Sequence, residues 1–450
     1  MVSLSVSLMI PLPTLYMASG IGCELSATGV TKAEAVIAAD SVSSVWNWTF
    51  GGANMDWGCS VIEVSTGGFA AVGYTQSSGA GDSDVWLILT DESGNPQSSH
   101  TFGGVDRDIG WGIIEVSSGG FLIVGETESF GAGDFDAWLI RVDTNGNHLW
   151  NQTYGGLYDE WGWTVVELST GGFVFSGRTA SLGAGSFDVW LVRTDSYGNH
   201  LWNHTFGGTN IDVGRGMVEL STGGFAIIGQ TSSFGAGFYD FYLIRTDADG
   251  NLVWSRTYGG TGLDEAASIA EVSTGGFVLT GDTFSYGVGS SDVWLIRTDA
   301  NGNSLWNQTF GGADADGGMA VIEMSSGGYL ITGETESQGA GGADLWLIRT
   351  NADGIATWNQ AYGGADDEEG WAVIETSSGD LVVLGETSSF GAGLADAWLI
   401  QVTEELALPP FPLEILFLIV GVIIIVVIIV VVIIVIRRRR SKPRKRRRKS

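Results

Sequence analysis

Residues 101–152 read TFGGVDRDIGWGIIEVSSGGFLIVGETESFGAGDFDAWLIRVDTNGNHLWNQ, and this string decides the fold because the chain repeats it. Its opening Thr-(Phe/Tyr)-Gly-Gly recurs every 52 residues, at Thr49, Thr101, Thr153, Thr205, Thr257 and Thr309, and with Ala for Thr at Ala361. A period of that size with several strand-like runs per unit is the signature of a β-propeller blade. Within the quoted unit, Gly110 to Val116, Phe121 to Thr127, Asp136 to Val142 and Trp150 to Tyr154 are short β-rich runs. Turns rich in Gly, Asn and Asp separate them, as in antiparallel hairpins. We call these strands a, b, c and d, from the channel outward.

The ends of the array predict how the ring closes. Residues Val45 to Phe50 form a d-like strand before any strand a, and the last copy stops after strand c, at Val402. Thr403 stands where Asp91, Asp143, Asp195, Asp247, Asp299 and Asn351 begin the c–d turn of the other copies. The N-terminal strand is therefore expected to complete the last blade, leaving no free sheet edge. A stacked solenoid would need distinct capping units. The expectation is an all-β, seven-bladed propeller of four-stranded blades over residues 45–403.

Strand a reads as buried on both faces, the pattern of a sheet covered on two sides. Each copy ends in Glu (Glu63, Glu115, Glu167, Glu219, Glu271, Glu323, Glu375), expected to tie a hairpin or a neighbouring blade.

Outside the repeats, residues 1–23 are apolar and broken by Pro11 and Pro13, and read as a signal peptide rather than a span. The residues before Cys23 fit a lipoprotein cleavage site badly. Residues 24–44 read as a linker, and residues 404–414 as a juxtamembrane linker. Residues 415–436 are apolar with only Gly421 interrupting, long enough to cross a bilayer. Residues 437–450 form a polybasic tail that begins Arg437-Arg438-Arg439-Arg440. The positive-inside rule puts that tail in the cytoplasm, against anionic lipid, and the propeller outside a cell membrane crossed once.

The tail holds eleven of the 21 Lys and Arg residues, so the other ten face 51 acids in residues 1–436. So acidic a surface repels nucleic acid, which is excluded as a partner, and suits cations. Sequons at Asn47, Asn151, Asn203 and Asn307 all fall on strand d, the exposed rim where a glycan would fit. Cys59, on strand a, reads as a small buried hydrophobe.

The d–a and b–c loops are expected on one face, and both are acidic. The first carries Asp56, Asp108, Glu160, Asp212, Asp264, Asp316 and Glu368; the second carries Asp84, Asp136, Asp188, Asp240, Asp292, Asp344 and Asp396. Two readings stand. Each carboxylate orders its own loop by accepting backbone N–H bonds, or the first set offers oxygen ligands to calcium. The Asp-x-x-Gly-Asn turns on the opposite face read as hairpin turns with an Asx start.

Twelve tryptophans recur blade by blade on strands c and d and read as packing. Trp57, Trp111, Trp161, Trp163 and Trp371 do not; they begin strand a in blades one, two, three and seven, at positions of one parity. Together with the acids they are the candidate ligand-binding residues. The last-but-one position of strand b also varies, as Tyr74, Glu126, Arg178, Gln230, Asp282, Glu334 and Glu386, and reads as solvent-facing. The four histidines, His100, His148, His200 and His204, lie at the outer edge, which removes His-based nucleophilic catalysis and His-ligated metal from the channel mouth.

The recurring Gly-x-Thr…Ser-Phe-Gly-Ala-Gly-x-x-Asp-x-Trp-Leu-Ile-Arg-Thr-Asp-x-x-Gly-Asn-x-x-Trp-Asn-x-Thr-Tyr-Gly-Gly resembles secreted and membrane-anchored prokaryotic propeller proteins, some loosely grouped with quinoprotein-like propellers or endoglucanases. The resemblance covers about residues 45 to 403; it implies the fold and transfers no activity. The expected function is a cell-surface binding or adhesion module for glycan or a surface protein. The alternatives are an extracellular glycoside hydrolase using paired carboxylates and a structural envelope component.

Overall fold

The computed structural model describes residues 30–31 and 42–404. The expected leader, membrane span and basic tail lie outside the described residues. Among those residues, no helix is long and apolar enough to cross a membrane.

Six four-stranded antiparallel sheets and one five-stranded sheet follow one another around a ring. In the second blade strand a is Asp108–Glu115, b is Phe121–Thr127, c is Asp136–Val142 and d is His148–Tyr154. Strand a begins two residues before the apolar run because the acid at its head joins the preceding blade: Asp108 donates its N–H to the Ser83 carbonyl at 2.8 Å. Every strand a then slips register at its fourth residue, as between Gly110 and Gly112, a bulge that re-aims the side chain there.

The ring closes as the two chain ends predict. The sheet order in the last blade is Val30–Thr31, Val42–Phe50, Asp396–Glu404, Leu381–Thr387, Glu368–Glu375. The N-terminal strand is thus its strand d. Val30 and Thr31, inside the expected linker, add a short fifth strand opposite Phe50 and Thr49. Asp56 also donates its N–H to the Ala395 carbonyl at 2.9 Å, across the seam between first and last blades.

The core lies between blades. Strand b is the most deeply buried, with all seven residues of Phe121–Thr127 inside, as expected of a strand covered on both faces. Val124 and Leu139 of one blade pack with Val165, Phe175 and Trp190 of the next, each such side chain contributing roughly 1.5–3 kcal/mol. At the rim, the c–d turn glycines, such as Gly198 (φ 78), take positive φ; a Cβ there would meet the Trp150 ring of the preceding strand d at 2.7 Å. The strand-d tryptophans therefore cap the neighbouring turn, which explains their recurrence.

The sevenfold Glu ties neighbouring blades. Glu115 accepts the N–H and hydroxyl of Ser65, at 2.8 and 2.6 Å, from the a–b turn of the preceding blade. The c–d turns are Asx-initiated: the Asp143 carboxylate accepts the N–H groups of Asn145 and Asn147 at 2.8 and 2.9 Å. The Asn147 side-chain amide, donating at 2.9 Å, and then these backbone bonds hold its carboxyl below the usual range.

Candidate functional site in the propeller channel

The first acid set is placed as seven separate hubs. Asp56 accepts hydrogen bonds from the Thr75 hydroxyl, the Ser77 hydroxyl at 2.6 Å and the Gly52 N–H at 2.7 Å, pinning the d–a loop to the end of strand b. Asp108, Asp212, Asp264 and Asp316 bond equivalent Thr and Ser hydroxyls. Glu160 and Glu368 reach one bond further and take the Ser N–H in place of its hydroxyl, at 2.8 and 2.9 Å. All seven are buried. Among the described residues, no three His, Cys, Asp or Glu side chains converge to hold a metal ion. The second set works similarly: Asp84 accepts the N–H groups of Ala80 and Gly81 at 2.7 and 3.2 Å.

The sequon asparagines have packing partners. Asn151, Asn203 and Asn307 each accept the indole N–H of a strand-c tryptophan at 3.2–3.3 Å, and Asn47 is buried. The indole bond supplies a physical reason for Asn to recur there.

The five unevenly shared tryptophans meet around the propeller axis. Ring centroids are 5.8 Å apart for Trp57 and Trp371, 6.4 Å for Trp371 and Trp111, 6.5 Å for Trp111 and Trp161, and 5.4 Å for Trp161 and Trp163. Trp371 and Trp111 approach across the first blade because that blade has the small, buried Cys59 at the bulge position. Burial pushes the Cys59 thiol well above its ordinary value, so it is an inert spacer. Trp111, Trp161, Trp163 and Trp371 line a central cavity of about 460 Å³, together with Arg215, Met319 and the small residues of strand a. Volumes of this order suit a small molecule or a ligand's end group. The indole N–H groups of Trp161 and Trp371, and that of Trp57 beside Trp371, are buried without a protein partner.

One expectation is corrected. The varying position at the end of strand b does not face solvent: Tyr74, Glu126, Gln230 and Glu386 are buried. Gln230, Asp282 and Glu334 reach the head of strand a in the next blade, whereas Tyr74, Glu126 and Arg178 meet a tryptophan on strand a of their own blade. Gln230 donates to Glu265 at 3.4 Å, and Asp282 accepts the Gly318 N–H at 2.8 Å beside Gly317. Glu334 and Glu369 hydrogen-bond each other through their side chains, which requires a shared proton, and burial holds both carboxyls above the usual range. A Cβ on Gly317 would stand 3.1 Å from Asp282 Oδ1 and 3.3 Å from Glu334 Oε1, so the bare glycine leaves room for two carboxylates.

The channel is electrostatically two-sided. In blades two to four, Arg178 stacks 3.5 Å over the Trp161 ring and 4.2 Å over Phe187, and Arg107 lies 3.7 Å from Glu126. Desolvation raises Glu126 to about 7, against its bond from the Trp111 indole and the pull of Arg107. In blades five to seven stand Glu265, Asp282, Glu334, Glu369 and Glu386. Desolvation at the channel wall lifts Asp282 to about 7. Burial, and then repulsion by Glu369 and Glu334, lifts Glu386 to about 9.

No protein-family model matches the chain. The regulatory protein FlaEY of Caulobacter vibrioides is 28% identical over 178 residues, a stretch that spans 34% of this chain and 18% of that protein. Among solved structures, the Neurospora crassa Pan2 WD40 domain is 9% identical at a TM-score of 0.46, covering 77% of this chain and 89% of that one. YCF48 bound to D1 peptide is 12% identical at a TM-score of 0.45, covering 83% and 99%. Puromycin hydrolase is 13% identical at 0.44, covering 73% and 50%. None of these similarities bears on activity; the seven-bladed ring rests on its own sheet order.

Proposed function

We propose that this chain is a membrane-anchored cell-surface binding module that holds the end group of a glycan or surface-protein partner at the mouth of its channel. One observation carries the reading: four tryptophans, each without a counterpart in most other blades, converge on one central cavity. The twelve regularly repeated tryptophans recur by blade as packing residues do, whereas these four break the repeat and gather at one cavity. The apolar stretch 415–436 and the basic residues after it support anchoring, with the propeller outside the cell.

The Glu334 and Glu369 carboxyls, in mutual hydrogen-bond contact, are closer than the about 5 Å or more at which retaining and inverting glycosidases hold theirs, so this pair does not suit glycoside hydrolysis.

The test is retention of labelled polysaccharides and cell-surface extracts on the immobilised full chain in neutral detergent, with chain length recorded. Intact ligand retained by the native chain and lost from Trp371→Ala supports the reading. Shortened polysaccharide, or retention indifferent to Trp371, overturns it. Anchoring is checked separately, by whether the chain stays with membranes through a carbonate wash.

A further inference from the structure

We propose that the channel mouth between the last and first blades binds an organic ammonium group, seated against the Trp57, Trp371 and Tyr74 rings and facing the Glu386, Glu369 and Glu334 carboxyls. The proposal deepens the binding reading above and rests on it.

Three independent observations meet at this point. The first is an aromatic wall: Trp57 lies 5.8 Å from Trp371 and 5.5 Å from Tyr74, centroid to centroid, the rings tilted by 37° in both pairs. Indole and phenol faces gathered in one patch attract a cation through their ring quadrupoles, more strongly once water is excluded.

The second is an unanswered acceptor. Glu386 is 7% exposed and its Oε2 is buried without a hydrogen-bond partner. Glu386 lies near the seam with the first blade, where its charge acts on Tyr74 and Cys59. A buried acceptor left unpaired costs roughly 1–3 kcal/mol, which a ligand N–H or a cation placed there relieves.

The third is the sign of the surroundings. The groups acting most on Glu386 are themselves acids, Glu369, Glu334, Asp367 and Glu368. Arg178 and Arg215 sit in the opposite sector, over Trp161 and Trp163, while Arg107, which acts on Tyr74, is already paired with Glu126 at 3.7 Å. A desolvated cluster of one sign is relieved by a ligand of the other. A bare metal ion is the poorer occupant, since no three of the acids converge on one point. An ammonium group needs no such convergence: its charge is spread over C–H or N–H surface that rings and separate carboxylates can share.

The experiment uses the full chain in neutral detergent and follows tryptophan fluorescence and binding heat. Probes are tetramethylammonium, a peptide ending in lysine and the same peptide with that lysine acetylated, each against sodium chloride at equal ionic strength. The expected result is saturable quenching by tetramethylammonium, absent with sodium, and about ten-fold or more weaker in Glu386→Gln and in Trp371→Phe. Both variants are checked for a native thermal transition, and the near-isosteric Gln keeps the volume if the indole proves essential to folding. Binding of the small ion alone assigns a free ligand with an ammonium group. Binding of the lysine peptide as well, lost on acetylation, assigns a lysine of a protein partner. No saturable signal from either, or equal signals in native chain and Glu386→Gln, overturns the proposal. Trp371-dependent retention of a neutral glycan in that event would leave the binding reading standing; loss of both would remove it too.

Discussion

Ser377, in the a–b turn of the last blade, donates its N–H and its hydroxyl to the Glu63 carboxylate of the first, both at 2.7 Å and 314 residues apart in sequence. The same clamp joins Ser65 to Glu115 across 50 residues. The seam between the chain ends is therefore bonded like other junctions in the ring, although only here does the clamp close a loop the length of the domain.

Replacing Glu63 by Gln should weaken that seam. The loss of charge-assisted bonds at a partly exposed site is expected to cost about 1–2 kcal/mol. Urea unfolding should show a lower midpoint with an unchanged slope. A change equal to that of Glu167→Gln, which holds Ser117 at 2.6 Å, would show that the seam is no weaker than an internal junction.

Deleting residues 42–50 removes the outer strand of the last blade and the fully buried Phe50. Strand Asp396–Glu404 then becomes an open edge, a template for pairing with another chain. The expected outcome is concentration-dependent association in gel filtration. A monomer with native melting behaviour would contradict the closure.

Asp212→Asn tests the hub reading of the first acid set. Its carboxylate takes the Thr231 hydroxyl, the Ser233 hydroxyl at 2.6 Å and the Gly208 N–H at 2.7 Å. Asn has only one acceptor oxygen and presents an NH₂ to the second hydroxyl, so a loss of about 1–3 kcal/mol is expected in thermal melts. Chelation with EDTA should leave the native melting temperature where it was, since the carboxylates are already engaged by protein donors. A calcium-dependent rise in that temperature would assign them a metal instead.

Stability should fall as pH rises from about 4.5 towards about 9, the ordinary and folded values of Glu386. In that window the unfolded chain gives up the Glu386 proton while the folded chain keeps it, so the folded state loses ground with rising pH. The groups facing it, Glu369, Glu334, Asp367 and Glu368 with Tyr74 and Cys59 of the first blade, add to the effect, while Arg107, which acts on Tyr74 in the other direction, is paired with Glu126. Glu386→Gln should be more stable than the native chain near pH 9, by about 1–2 kcal/mol, and little different near pH 5. Melts across that range check both the slope and its loss in the variant.

The blade count, the closure by residues 42–50 and the inter-blade Glu were legible because each repeats or fails to repeat at a fixed period. The tryptophans around the channel were legible as a departure from that period. The ring at the end of strand b was misread, since polar residues changing from copy to copy resemble positions under no constraint. Several are constrained by a partner in the next copy: Gln230 meets Glu265 at a separation of 35 residues, and Asp282 meets Gly318 at 36. Comparing positions 35 or 36 apart, rather than 52, would have found these pairs. The acid hubs remained open between loop ordering and calcium because spacing gives no account of the hydroxyls, Thr75 and Ser77, that consume Asp56.

The fourth strand of the final blade, Val42–Phe50, is synthesised before the six other blades, and its partner, Asp396–Glu404, is the last strand of the ring. At roughly 5–20 residues per second this separation amounts to tens of seconds of translation. Throughout that interval Val42–Phe50, with its two tryptophans and Phe50, has only the two-residue strand Val30–Thr31 to pair with. The nascent chain therefore carries an unspent β-edge until Asp396–Glu404 emerges, and completion of the ring waits for that strand even if the other six blades fold as they appear.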